Sequence, residues 1–147
     1  MKTTTATILS YVSFAHKSGS YATVSEDKFK KDIQTLIENG YSSISLSDLT
    51  VRSEKEKVFC ILLHGGYSNH YKVAFPILKE MNVHADAFIP TELVGRTHYS
   101  GIDSFVPHFS WVKLMKCIEA VWWISMACGI LLILKRTCFQ RCAQKPK

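Results

Sequence analysis

The sequence predicts an α/β architecture of parallel strands followed by a C-terminal hydrophobic helix. Over the first 90 residues, short β-branched or apolar runs alternate with amphipathic segments in the order strand, helix, strand, loop, strand, helix, strand. One of these runs, VFCILL at 58–63, is apolar throughout, as suits a strand covered on both faces of a parallel sheet. Residues 120–134 form a second kind of apolar run, 15 residues without a formal charge, at helical rather than strand length.

The first strand is predicted at 7–14 (TILSYVSF), where β-branched and aromatic residues favour an extended chain. Ser25 then opens the clearest helix, over 25–39. A serine is a good N-cap, Glu26 and Asp27 suit the positive end of the helix dipole, and Phe29, Ile33, Leu36 and Ile37 share one face. Asn39-Gly40 supplies the stop. Short strands follow at 43–46 and 58–63, separated by a charged loop at 52–57. Beyond His64-Gly65-Gly66, Ala74, Ile77, Leu78 and Met81 repeat at helical spacing, and Pro76 is tolerated only near a helix start, so this helix is predicted at about 72–81. A fourth strand is predicted at 85–89, and the Pro- and Gly-containing stretch 90–111 as a long loop.

Charge divides the chain in two. Residues 1–110 carry 11 Lys/Arg and 11 Asp/Glu, whereas 111–147 carry seven Lys/Arg against Glu119 alone, so the tail accounts for the net +6. No basic stripe crosses the folded part, which excludes a nucleic-acid partner. Four of the five cysteines and all three tryptophans also lie after residue 110. Two segments result, a domain at 1–111 and an apolar, basic tail at 112–147. Cys60 sits in an apolar run and is expected to be a buried thiol, and no cysteine spacing suggests structural zinc. The N-terminal apolar stretch is broken by Thr7, Ser10, Tyr11 and Ser13, so it gives no clear signal peptide. The tail offers a possible transmembrane helix at 117–134, with Trp122 and Trp123 at an interface and Lys135-Arg136 as a positive flank. The sequence leaves open whether this tail is an evolved anchor or the product of a reading-frame shift near residue 117.

Several motifs resemble a known family in order. Leu9-Ser10-Tyr11, Val24-Ser25 with Phe29, and Gly40-Tyr41-Ser42-Ser43-Ile44-Ser45-Leu46 resemble the start of the polysaccharide deacetylase family, the NodB homology domain. Leu62-Leu63-His64-Gly65-Gly66-Tyr67 lies where that family has Thr-Phe-Asp-Asp-Gly-Tyr. Ala74-Phe75-Pro76-Ile77-Leu78-Lys79 and Ala85-Asp86-Ala87-Phe88-Ile89 resemble its next helix and strand, and His108-Phe109-Ser110-Trp111 the segment before its second metal motif. The resemblance covers roughly residues 7–117.

The resemblance implies a (β/α) barrel, here partial, and metal-assisted removal of acetyl groups from N-acetylated sugars. In the family a divalent metal such as zinc polarises the amide and activates water, a carboxylate acts as base and a histidine as acid. The first Asp of the family's pair is the base and the second binds metal, and a His-x-x-x-His motif completes the metal site. By this correspondence His64 stands at the base position and Gly65 at the ligand position, where it has no side chain to offer. The family's Tyr-His pair reads Tyr11-Val12, and no histidine follows His108. The expectation is a truncated, inactive relative of a carbohydrate de-N-acetylase, with no cofactor and with N-acetylated polysaccharide as its partner. The alternative is a small membrane-anchored interaction protein that reuses half of the barrel, and either reading places it at a membrane or in the cell envelope. A neutral imidazole suits proton transfer, so His64 is the one catalytic candidate; otherwise it is a strand-end loop histidine. His64 and His70 are not spaced as a helical metal-binding pair, His98 and His108 are predicted in loops, and no substrate-binding residue is assigned.

Overall fold

The computed structural model describes residues 6–15, 22–49, 57–99, 105–113, 116, 123–128 and 130–133. At its centre is strand β5 (Val58–His64), the apolar run of the sequence, with Phe59, Cys60, Ile61 and Leu63 fully buried. Strand β1 (Ala6–Tyr11) pairs with it in parallel along its whole length, from Ala6 opposite Val58 to Tyr11 opposite Leu63. Two parallel strands share the rest of β5: β4 (Ser42–Ser43) at Val58 and Phe59, and β6 (Asp86–Ile89) from Leu62 to His64. The four predicted parallel strands therefore form. The first of them is shorter than predicted because the chain steps at Val12 into β2 (Ser13–Ala15), which pairs in parallel with β3 (Thr23–Ser25) in a sheet of its own.

Helix α1 (Glu26–Glu38) starts and stops where its sequence signals lie. The Ser25 hydroxyl accepts from the Lys28 backbone N–H at 3.3 Å, and Gly40 closes the end at φ +78°. Ser25→Ala is expected to destabilise the chain by about 1 kcal/mol, read as a lower urea midpoint with an unchanged slope. Phe29 and Ile33 are fully buried, but Ile37, predicted on the same face, is 42% exposed because it lies at the helix end beyond the sheet. Phe29 packs edge-on against Tyr11 and Phe14, each with ring centroids 4.9 Å away, which joins the helix to both small and large sheets. After β4 the chain forms one helical turn, α2 (Leu46–Leu49), where the sequence predicted a longer strand. Asp86 causes this: its carboxylate accepts the Leu46 N–H at 2.8 Å and draws the chain into the turn.

The second long helix begins earlier than predicted, with a π-helical stretch (His70–Ala74) that runs into α3 (Phe75–Glu80). Phe75 N–H reaches back to the His70 carbonyl, and Pro76, lacking an N–H, follows this wide turn, where no donor is needed from it. Ala74, Ile77 and Leu78 are buried as predicted. Lys30 and Glu80 form an ion pair at 3.1 Å that ties α1 to α3.

Two sequence predictions are corrected downstream. The stretch 90–111 is not a featureless loop: it holds a 3-10 turn (Thr91–Leu93) and an antiparallel hairpin of β7 (Thr97–Tyr99) and β8 (Phe105–Pro107). The C-terminal hydrophobic helix predicted at 117–134 is not formed in the described part of that range. Trp123–Cys128 is strand β9, parallel to β6, and Ile130–Ile133 is strand β10, antiparallel to β9. No helix among the described residues is long and apolar enough to cross a membrane. Length alone pointed to a helix; the edge of β6 overrides it, because backbone groups along that edge take a strand partner. Residues 117–122, 129 and 134, together with the basic residues beyond, lie outside the described residues. The main sheet thus runs β1-β5-β6-β9-β10, with β4 beside β5.

Candidate functional site

The parallel strands end together at one pole of the sheet, and the candidate residues gather there. His64 is the last residue of β5, with its ring stacked on Phe88 at 5.2 Å between centroids and 8° between planes. The chain then turns through Gly65 (φ +93°) and Gly66 (φ +63°), backbone conformations that side-chain-bearing residues rarely adopt. Gly65 N–H donates to the Phe88 carbonyl at 3.0 Å, which anchors the turn to β6. Space as well as backbone demands glycine here. A Cβ on Gly65 would stand 2.5 Å from Cε2 of the Tyr67 ring, and one on Gly66 2.7 Å from Cγ2 of buried Ile89.

The segment carrying His108 is stitched onto this turn. Phe109 N–H donates to the Gly66 carbonyl at 2.8 Å, Gly95 N–H to the Phe109 carbonyl, and His108 N–H to the Arg96 carbonyl at 2.9 Å. The His108 ring is buried, its Nδ1 donates to the Gly65 carbonyl at 2.8 Å, and Tyr67 packs against it at 4.9 Å. His108 was predicted in a loop; it is instead a buried bridge opposite Tyr67. His98 lies in β7.

His70 is the group the sequence did not mark. It is fully buried; its Nε2 donates to the Val12 carbonyl at 2.8 Å, and its Nδ1 is buried with no hydrogen-bond partner among the described residues. Desolvation pushes its pKa down to about 4, against a smaller upward pull from the Val12 carbonyl, and His64 and His108 push it further down. The preceding Asn69 reaches the same stretch, donating to Ser13 Oγ and the Phe14 carbonyl, each at 2.9 Å. Nothing in the Ser68-Asn69-His70 run signals this; it follows from the step at Val12, which leaves backbone carbonyls in need of donors. At the other side, the Tyr11 hydroxyl donates to Asp32 at 3.2 Å, and burial and that carboxylate raise its pKa. Asp86 is also buried, its carboxyl raised by burial and partly lowered by the Leu46 N–H. Cys60 is the buried thiol expected, raised by burial and by Asp86 and Asp48.

The structure therefore brings His64, His70 and His108 to one pole, around Gly65, Gly66 and Tyr67. The divalent metal implied by the family resemblance does not fit these residues. Gly65 offers no donor, the Tyr67 ring fills the space where a side chain would start, and His108 Nδ1 is committed to a carbonyl. Among the described residues no group of three His, Cys, Asp or Glu is placed to hold a metal ion.

No family model matches the chain. Among curated proteins it is 27% identical over 97 residues to the Bacillus subtilis protein YxkH, named as a polysaccharide deacetylase, covering 63% of this chain and 34% of that one. Among solved structures it superposes on IcaB of Ammonifex degensii with a TM-score of 0.71 at 17% identity, over 85% of this chain and 53% of that one. It superposes on the de-N-acetylase of Aggregatibacter actinomycetemcomitans at 0.68 and 19% identity, over 82% and 53% of the two chains. For the Streptococcus pyogenes deacetylase PplD, in complex with acetate, the values are 0.62 and 17%, over 82% and 54%. The chain spans about a third of the length of the curated relative and about half that of the solved ones. In sequence it resembles the polysaccharide deacetylases, and its parallel sheet and helices have the α/β fold of their NodB homology domain.

Proposed function

We propose that this chain is a non-hydrolysing relative of the metal-dependent carbohydrate de-N-acetylases, keeping N-acetylated polysaccharide as its partner and acting at the cell envelope. One observation carries the loss of hydrolysis: Gly65, at the position of the family's metal-binding carboxylate, has φ +93° and the Tyr67 ring where a side chain would begin. Without a cation the amide carbonyl of an N-acetyl group is not polarised and no water is activated beside it. His64 retains a base at the strand end, but a base alone leaves that barrier in place. The polysaccharide partner is supported by the similarity to YxkH and by the shared fold. The catalytic role of His64 and the reuse of the sheet as an anchored interaction module are the outcomes the same assay separates.

Calorimetric titration of the full chain with zinc or cobalt is expected to show no site tighter than about millimolar. Incubation with N-acetylglucosamine oligomers is expected to release no acetate with or without either metal. Metal-stimulated acetate release would overturn the proposal, and membrane retention after carbonate extraction would favour the anchored module.

A further inference from the structure

The step at Val12 is held by two adjacent side chains. His70 Nε2 donates to the Val12 carbonyl, and Asn69 Nδ2 donates to Ser13 Oγ and the Phe14 carbonyl, so three consecutive residues hang on one point of the π-helical segment. That point is in turn joined to the glycine turn, since His70 N–H donates to the Tyr67 carbonyl at 3.1 Å and the two rings meet edge-on at 5.8 Å. The imidazole also meets the rings of Phe14, edge-on at 5.5 Å, and Phe109, at 6.2 Å. With Nε2 donating, Nδ1 carries the lone pair, and it is buried without a partner among the described residues. A proton can enter only at that atom, and no described residue accepts a hydrogen bond from it.

We propose that His70 is a proton-sensitive latch: protonation of its ring releases the β1–β2 step from the glycine turn and opens the pole where His64, Tyr67 and His108 gather. The charged form meets apolar ring edges rather than water, and the groups whose charge acts on it, His64 from β5 and His108 from beyond β8, both oppose a further proton. The Val12 carbonyl is the one group that favours it, and opening lets the ring charge in solvent instead. The latch is a local device because, among the described residues, β2 pairs with β3 alone, apart from the main sheet, so it can detach while β1 and β5 stay paired.

Amide hydrogen exchange on the full chain, followed by NMR from pH 7 to pH 5, tests it. After correction for intrinsic exchange, protection of the β2 amides is expected to fall about twentyfold relative to those of α1, the ratio given by a ring that titrates near 6.5 when open and near 4 when closed. The same series resolves the His70 ring, which is expected to stay neutral, as the Nε2–H tautomer, while the latch is closed. Unchanged relative protection at pH 5, or a ring that protonates near 6.5 with β2 still protected, overturns the proposal. In His70→Gln, whose neutral amide can also donate to Val12, the acid response is expected to vanish, whereas His64→Gln is expected to keep it. A response lost with His64 and kept without His70 assigns the trigger elsewhere and overturns it too.

Discussion

Gly66→Ala is expected to lower the stability of the chain by about 2–4 kcal/mol. Gly66 sits at φ +63°, and the added methyl would stand 2.7 Å from Cγ2 and 3.2 Å from Cβ of Ile89, a fully buried residue with nowhere to retreat. Urea denaturation followed by circular dichroism measures the shift, and a loss under about 0.5 kcal/mol would show that the turn can be remade without glycine. The neighbouring change Gly65→Asp is milder, because the Tyr67 ring is only half-buried and can swing aside, and aspartate tolerates positive φ better than most residues. Swinging it aside breaks its packing on His108. Even the double change His64→Asp with Gly65→Asp is expected to leave acetate release undetectable, since no further ligands stand ready among the described residues.

Phe29→Ala is expected to cost about 3–5 kcal/mol and to unfold a large fraction of the chain at 37 °C. The ring is fully buried, contacts Tyr11 and Phe14 edge-on at 4.9 Å, and lies at the junction of α1 with both sheets. Its removal leaves a cavity that β1 and β2 would have to close from opposite sides. Phe29→Leu, which keeps most of the volume, is expected to recover at least half of the loss. Equal losses for the two variants in thermal melts would mean that the aromatic contacts, not the filled space, carry the effect.

The elements that hold the fold were legible where one local signal determines them. Ser25, Phe29, Ile33 and Gly40 fixed α1 to within a residue at each end, and the unbroken apolar run at 58–63 marked the central strand because both its faces are covered. What was not legible depends on partners distant in sequence. The turn at α2 exists because Asp86, 40 residues on, accepts the Leu46 N–H. The strands β9 and β10 form along the edge of β6, and the length of the apolar run, which pointed to a helix, carries no knowledge of that edge. At the site, the family resemblance pointed to His64 and Gly65, and the structure places both at the strand ends. His70 and His108 escaped because their surroundings come from Val12 and Gly65, residues that offer only backbone carbonyls.

Strand β10 runs against β9, with Ile130 opposite Cys128 and Ile133 opposite Ser125. With Cys128 and Ile130 themselves paired, the reversal is too tight for the crossover that a parallel successor needs. Both edges of β9 are then taken, by β6 and by β10, so along this path the sheet cannot curl round into a cylinder of like-directed strands. Among the described residues the sheet has two unlike rims: β1 at one, running toward the histidine pole, and β10 at the other, running away from it. Ile133 stands opposite Ser125, Ser125 opposite Phe88 and Phe88 opposite His64, so β10 runs back only as far as the level of His64 and lies wholly at the histidine end of the sheet.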